Sequence, residues 1–197
     1  MTKHVVVIAS GETERRALPH LLAHFRDRDI DVTVRIPPGN RPLRVSVAYS
    51  LIQSLLYDFD GFPPDKYVIL VDADGQDPDD ILGPLRVELS NRLGSGFGPS
   101  VQYAYAQWHL ESWYFADAAN LRDYIGRALG SVDASSPDEI QNPKLHLKHL
   151  LGDNFYTALI SEEIAQSLNA QTISSRSPSF NRFLQEVENG PSPVSLE

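Results

Sequence analysis

The sequence predicts an α/β fold: a mostly parallel, four-stranded sheet flanked by helices, with a helical C-terminal part. Three observations carry this reading. Short apolar or alternating runs recur at His4–Ala9, Asp31–Ile36, Lys66–Val71 and Val101–Trp108, and longer stretches between them place apolar residues at helical spacing. The run from Tyr67 to Val71 is continuously apolar, as in a strand covered on both faces. After Trp108 the strand pattern stops and helical spacing takes over.

Each element has its own signal. Strand one ends in the turn Ser10-Gly11, and Ala17, Leu18, Leu21, Leu22 and Phe25 then mark an amphipathic helix from about Glu12 to Arg28. Strand two is followed by a proline-rich loop over residues 37–42. Val45, Ala48, Ile52 and Leu55 mark a second helix that ends near Asp58. Strand three leads to a helix from about Asp79 to Leu93, closed by Gly-Ser-Gly-Phe-Gly-Pro-Ser, and then to strand four. This β-α-β-α-β-α-β order implies right-handed crossovers. Further helices are expected at residues 117–129, at 143–151 behind an Asn142-Pro143 start, at 161–168 and at 177–188. Residues 131–141 are polar and read as a loop. We expect one domain over residues 1–189, with 118–189 as its helical extension and 190–197 as a poorly ordered tail.

Composition narrows the function. The 197 residues suffice for one domain with a substantial core. There is no cysteine, which excludes disulfides and thiolate metal sites. The apolar run near the N-terminus is too short for a membrane span and runs into a motif, so it does not read as a signal peptide. We expect a cytosolic protein with no membrane partner. The net charge of −9 argues against a global electrostatic grip on nucleic acid. The charge is uneven, however: residues 1–50 carry eight Lys/Arg against five Asp/Glu. A local basic patch from Arg15, Arg16, Arg35, Arg41 and Arg44 would serve a local nucleic-acid site, and a solvated charged face reads equally well.

The most informative stretch is Tyr67 to Asp80, where the third strand runs into Asp72-Ala73-Asp74-Gly75. In an open α/β sheet, ligands bind beyond the carboxyl ends of the strands. Two carboxylates this close repel unless a cation lies between them or one binds a proton. Hard oxygen donors suit Mg²⁺ or Mn²⁺. An EF-hand does not fit, because its loop needs glycine at the sixth position and glutamate at the twelfth, where this chain has Gly83. The plainer reading is an acidic turn that caps the next helix, a role suited to Asp79 and Asp80.

Three other constellations join it. Ser10-Gly11-Glu12-Thr13-Glu14 leaves strand one, and Glu14 would reach a shared metal if strands one and three are neighbours; helix capping by Ser10, Glu12 and Glu14 fits the spacing equally. Glu111 sits among aromatic residues in Trp108–Asp117, and carboxylates rarely go inside unless paired or metal-bound. It would complete an acidic cluster, or face solvent while Trp113 packs in the core; His109 is a further ligand or base candidate, or a packed or surface residue. Lys144 and Lys148 share a helix face and would hold a phosphate or steady a developing charge, or simply form a solvated basic face.

Taken in order, Gly11-Glu12-Thr13-Glu14, Asp72-Ala73-Asp74-Gly75, Glu111-Ser112-Trp113, Pro143-Lys144 and Ser177-Pro178-Ser179-Phe180 resemble the bacterial domain-of-unknown-function 4276 family. That family is similar to TOPRIM domains, the metal-binding, Rossmann-like fold of topoisomerases, primases and OLD-type nucleases. The resemblance implies Mg²⁺-dependent phosphodiester (nuclease) chemistry and, for many relatives, a neighbouring ATPase in phage-defence loci. Carried onto this chain, it implies a metal held by Asp72 and Asp74 with Glu111 and Glu14, a general base at Glu14 or Glu12, and Lys144 offsetting charge on the phosphoryl oxygens. There is one departure. The family pattern begins Glu-Gly-x-Thr-Glu, and here the first acid is replaced by Ser10. Either Glu12 or Glu14 substitutes, or the protein is a non-catalytic TOPRIM-like subunit that regulates a partner. A nucleotide-sugar glycosyltransferase, whose Asp-x-Asp also follows a strand, is a third class, to be tested by nucleotide-sugar binding with Mn²⁺.

Overall fold

The strand order is β2-β1-β3-β4, with every pair parallel: β1 is Lys3–Ile8, β2 Ile30–Arg35, β3 Lys66–Asp72 and β4 Ser100–Ala106. The computed structural model describes residues 2–39, 42–58, 61–130, 134–152 and 155–189. The expected fold class is therefore observed, and the two central strands are the most apolar ones. The side chains of β1 from Val5 to Ile8 and of β3 from Tyr67 to Val71 are all buried, which requires cover on both faces.

That cover is divided unequally. Chain order and right-handed crossovers send α1 (Glu12–Leu21) to one face and α2 (Val45–Leu55) and α3 (Pro78–Leu93) to the other. One core joins Val6, Ile8, Ile69 and Val71 to Ile52, Leu82, Leu85 and Leu89 of α2 and α3. The larger core joins Val5, Val7, Val68 and Leu70 to α1 and to the C-terminal helices. These are α4 (Glu111–Ala116), α5 (Ala118–Ile125), α6 (Pro143–Leu151), α7 (Ala158–Ser167), α8 (Ala170–Arg176) and α9 (Pro178–Glu188).

The structure corrects several boundaries. The first helix leaves α geometry at Leu21 and continues as a 3₁₀ helix, Ala23–Arg28, that ends at left-handed Asp29. The expected helix 117–129 stops at Ile125, where Gly126 adopts φ +72°. Two helices were not expected, α4 and α8, each too short for a helical period to stand out. The loop over 131–141 contains a 3₁₀ turn, Pro137–Glu139. Ser10 does not cap α1, because Gly11 holds that position without a side-chain bond. Asn142 makes no capping bond either; it stands in the left-handed region at φ +50°. Asp79 and Asp80 stand in the first turn of α3, as expected of acids at a helix N-terminus, and the side-chain cap itself is Asp77, which accepts from the Asp79 amide. The expected tail, 190–197, and Arg41 lie outside the described residues.

At the amino-terminal end of the sheet, Lys66 is fully buried and donates to the carbonyls of Glu186 and Asn189. Lys3 donates to the carbonyls of Glu188 and Asn189 at 2.8 and 3.1 Å. Two lysines thus hold the last carbonyls of α9. Burial first, then the Lys3 charge, lower the Lys66 pKa to about 7. An unfolded lysine titrates near 10.4, so between those values the unfolded chain binds the extra proton and stability rises with pH. Below about pH 7 both states are protonated and this dependence vanishes. Lys66→Met should therefore abolish a gain of roughly 2–3 kcal/mol between about pH 7 and pH 10, read by urea denaturation at both pH values. An unchanged gain would contradict the assignment.

Candidate functional site

Because β1 leads outward to β2 while β3 leads outward to β4, the crevice between β1 and β3 is the point where the winding reverses. Ligands in open α/β sheets bind at the carboxyl edge of that crevice. Asp72 is the last residue of β3, and Gly11 opens α1 just beyond β1. The pairing extends past the strands, with Ala73 donating to the Ala106 carbonyl at 2.9 Å and Gly75 to the Gln107 carbonyl at 2.9 Å. The segment after β4 is thereby pinned beside the segment after β3, which brings α4 and its first residue, Glu111, to the same rim.

Three carboxylates from three stretches come near enough there to feel one another's charge. Half-buried Asp72 titrates well above the ordinary aspartate range, because burial is compounded by the negative charges of Glu14, Glu111 and Asp74; Lys144 opposes the shift. Glu14 is 8% exposed, and its pKa is raised by burial and by Glu111, against the amides of Glu14 and Gly11 and the Lys144 charge. Its carboxylate lies so close over Gly11 that a Cβ there would stand 2.7 Å from Oε2. A glutamate at the third helical position that reaches back to the capping residue is one half of a capping box. The capping and site readings therefore coincide in one side chain.

Glu111 is 2% exposed. The Tyr156 hydroxyl donates to its Oε1 at 2.7 Å, and Lys144 Nζ stands 3.8 Å from the same atom. Burial, then the Glu111 charge, push the Tyr156 phenol far above its usual range, so it stays a donor. Asp74 is exposed at φ +50° and pairs with His109 Nε2 at 3.0 Å, while the buried Nδ1 of His109 has no hydrogen-bond partner among the described residues. Lys144, Lys148 and His109 line a cleft of about 210 Å³ next to this rim.

One expected residue is drawn away. Both Glu12 oxygens are taken by Arg15 and Arg16, with Arg16 Nε at 3.1 Å and Arg16 Nη1 also binding Glu162 of α7 at 2.7 Å. The Arg15 hydrogen bond above all lowers the Glu12 pKa, which makes it a poor base. Those pairs also occupy Arg15 and Arg16, two members of the expected basic patch.

Sequence reasoning missed Tyr156, and it gave Gly75 of the Asp72-Ala73-Asp74-Gly75 motif no packing role. Tyr156 lies 45 positions beyond Glu111 and carries no local signal. Gly75 at φ +75° lies against Trp108, and a Cβ would meet the indole ring at 2.5 Å. Gly75→Ala should therefore cost roughly 2–4 kcal/mol from the left-handed backbone and the ring contact together, measured by urea denaturation. A loss under about 0.5 kcal/mol would contradict this packing.

The donors suit a hard divalent cation in type and charge. They are carboxylate oxygens, and a cation would relieve the repulsion that opposes ionisation of Asp72. Among the described residues no three His, Asp or Glu side chains already stand as a formed metal site.

The profile of the family described as a domain of unknown function, DUF4276, matches residues 10–188. No curated protein matches the chain. Among solved structures, the chain is similar to the C-terminal region of the Burkholderia pseudomallei OLD protein at 15% identity, with 95% of this chain and 98% of that chain covered and a TM-score of 0.42. It is also similar to the C-terminal region of the Xanthomonas campestris pv. campestris OLD protein at 18% identity, with 93% and 92% covered and a TM-score of 0.47. No helix among the described residues is long and apolar enough to cross a membrane. The profile match takes in every residue of the rim, from Ser10 to Tyr156, and the chain belongs to the DUF4276 family.

Proposed function

We propose that this chain is a TOPRIM-like, Mg²⁺- or Mn²⁺-dependent enzyme that cleaves phosphodiesters in nucleic acid. One observation carries the reading: Asp72 ends β3, one of the two central strands, in the field of Glu14 and Glu111, with Lys144 as the nearby cation. Asp72, Asp74 and Glu111 would hold the metal, which when bound supplies Lewis-acid polarisation of a phosphoryl oxygen. Glu14, whose pKa burial raises above the ordinary glutamate range, is suited to take the proton of an attacking water. Lys144, poised beside Glu111, is placed to offset charge on the phosphoryl oxygens. An ATPase subunit in a phage-defence setting is the partner we propose, on the strength of the motif resemblance.

The test is cleavage of labelled single- and double-stranded DNA and RNA with Mg²⁺ or Mn²⁺, by the wild type and by Asp72→Ala. We expect metal-dependent cleavage that falls by about 10³-fold or more in the variant, the scale of losing a group that acts in the transition state.

A second reading rests on two particular facts. Ser10 replaces the family's first acid, and Glu111 is already satisfied by Tyr156 and Lys144. On that reading the rim is a regulatory surface without catalysis. Metal binding without cleavage of any substrate, with the ATPase partner present, would favour it.

A further inference from the structure

We propose that the open edge of β4 is a docking groove for an extended peptide segment of a partner protein, one that carries a carboxylate at its centre. The groove is independent of the acidic rim. It is a cavity of about 410 Å³ whose walls come from α3 and α9 and whose floor is β4 itself.

The floor is an unfinished sheet. Ser100 donates to the Asp65 carbonyl at 3.2 Å and the Ala106 carbonyl accepts from Ala73 at 2.9 Å, so the even-numbered residues of β4 face β3. In a parallel ladder the alternate residues turn their amides and carbonyls the other way. Those are Val101, Tyr103 and Tyr105, all three in the groove lining. Natural edges are usually blunted with charge, proline or a bulge. The run Ser-Val-Gln-Tyr-Ala-Tyr-Ala of β4 has no charge and no proline, whereas the opposite edge, β2, carries Asp31 and Arg35. An extended segment pairs with such an edge through its backbone and reads side chains in alternation.

The walls select the occupant by charge. Arg86 on α3 stands over the Tyr103 ring at 5.3 Å, and Arg182 on α9 faces the groove from the other wall. Asp77 and Asp79 lie toward one end and Glu186 toward the other. The pattern along the groove is thus negative, positive, negative, which calls for an acid in the middle. The Tyr103 hydroxyl is buried beside Ser90, so the face of its ring under Arg86 is what it presents at that point. A second copy paired edge to edge about Tyr103 would bring four arginines together, so like charge disfavours that occupant.

The test uses the full chain, labelled with ¹⁵N, and three synthetic heptapeptides of alternating Thr and Val. One has Glu at its centre, one has Lys there, and one is the Glu peptide with alternate backbone nitrogens methylated. The Glu peptide should shift the amides of Val101, Tyr103 and Tyr105 and bind at least about tenfold more tightly than either control. Arg86 and Arg182 are exposed, so Arg86→Ala and Arg182→Ala leave the core intact, and each should weaken the Glu peptide by about tenfold. No amide shift at millimolar peptide, equal binding of the Lys peptide, or a dimer in light scattering that Arg86→Glu strengthens would each overturn the proposal. None of these outcomes depends on whether the rim cleaves phosphodiesters.

Discussion

Asp72→Asn is expected to raise the melting temperature at pH 7 by roughly 2–6 °C, while metal-dependent cleavage is lost. Burial and the charges of Glu14, Glu111 and Asp74 hold the folded Asp72 pKa well above its unfolded value of 3.8. Between those two values the native state binds the extra proton, so this group's contribution is fully present below the unfolded pKa. It is lost as pH rises through the folded pKa. Glu14 acts in the same direction. At neutral pH the rim is therefore a cost to folding that an amide at position 72 relieves. A cation relieves it too: Mn²⁺ should raise the melting temperature of the wild type and do so much less for Asp72→Asn. Scanning fluorimetry with and without Mn²⁺ reads both effects. A variant that melts lower than the wild type, with no cation response in either protein, would count against the acidic rim.

The largest loss of stability is expected at Trp113. Trp113→Ala should cost roughly 3–5 kcal/mol and lower the melting temperature by about 10 °C. The indole is fully buried, stacks on Phe183 at 5.5 Å and meets Phe180 edge-on at 4.9 Å. Its Nε1 donates to Ser179 Oγ at 2.8 Å. Asp138 completes the bracket, accepting from Ser177 Oγ at 2.7 Å and from the Ser179 amide at 2.8 Å. The Ser-Pro-Ser-Phe motif thus anchors the helix that carries Glu111, through bonds from its serines to Asp138 and Trp113. Trp113→Phe should lose less, because stacking survives and the hydrogen bond does not. Urea denaturation of both variants checks this, and an alanine loss under about 1 kcal/mol would contradict the packing.

The sheet was legible because period and burial are local properties. Tyr67 to Val71 announces a two-sided strand without help from the rest of the chain. Glu111 among aromatics was legible for the same reason: the acid is inside, which overturns the solvent-facing alternative, although the Trp113 packing that went with that alternative is observed. What failed were choices between side chains of one type a few residues apart. Glu12 and Glu14 look alike in sequence, yet helical spacing aims Glu12 at Arg15 and Arg16 and aims Glu14 back over Gly11. The Tyr156 phenol on Glu111 and the His109 imidazole on Asp74 arise from tertiary packing, which single residues do not advertise. Helices α4 and α8 were hidden by brevity.

The most direct test is anomalous diffraction from a crystal soaked in Mn²⁺. We predict a peak liganded by Asp72 together with at least one of Glu14, Asp74 and Glu111, and its loss in Asp72→Asn. A fully soaked crystal whose rim carries no peak, or a peak that ignores Asp72, would contradict the account.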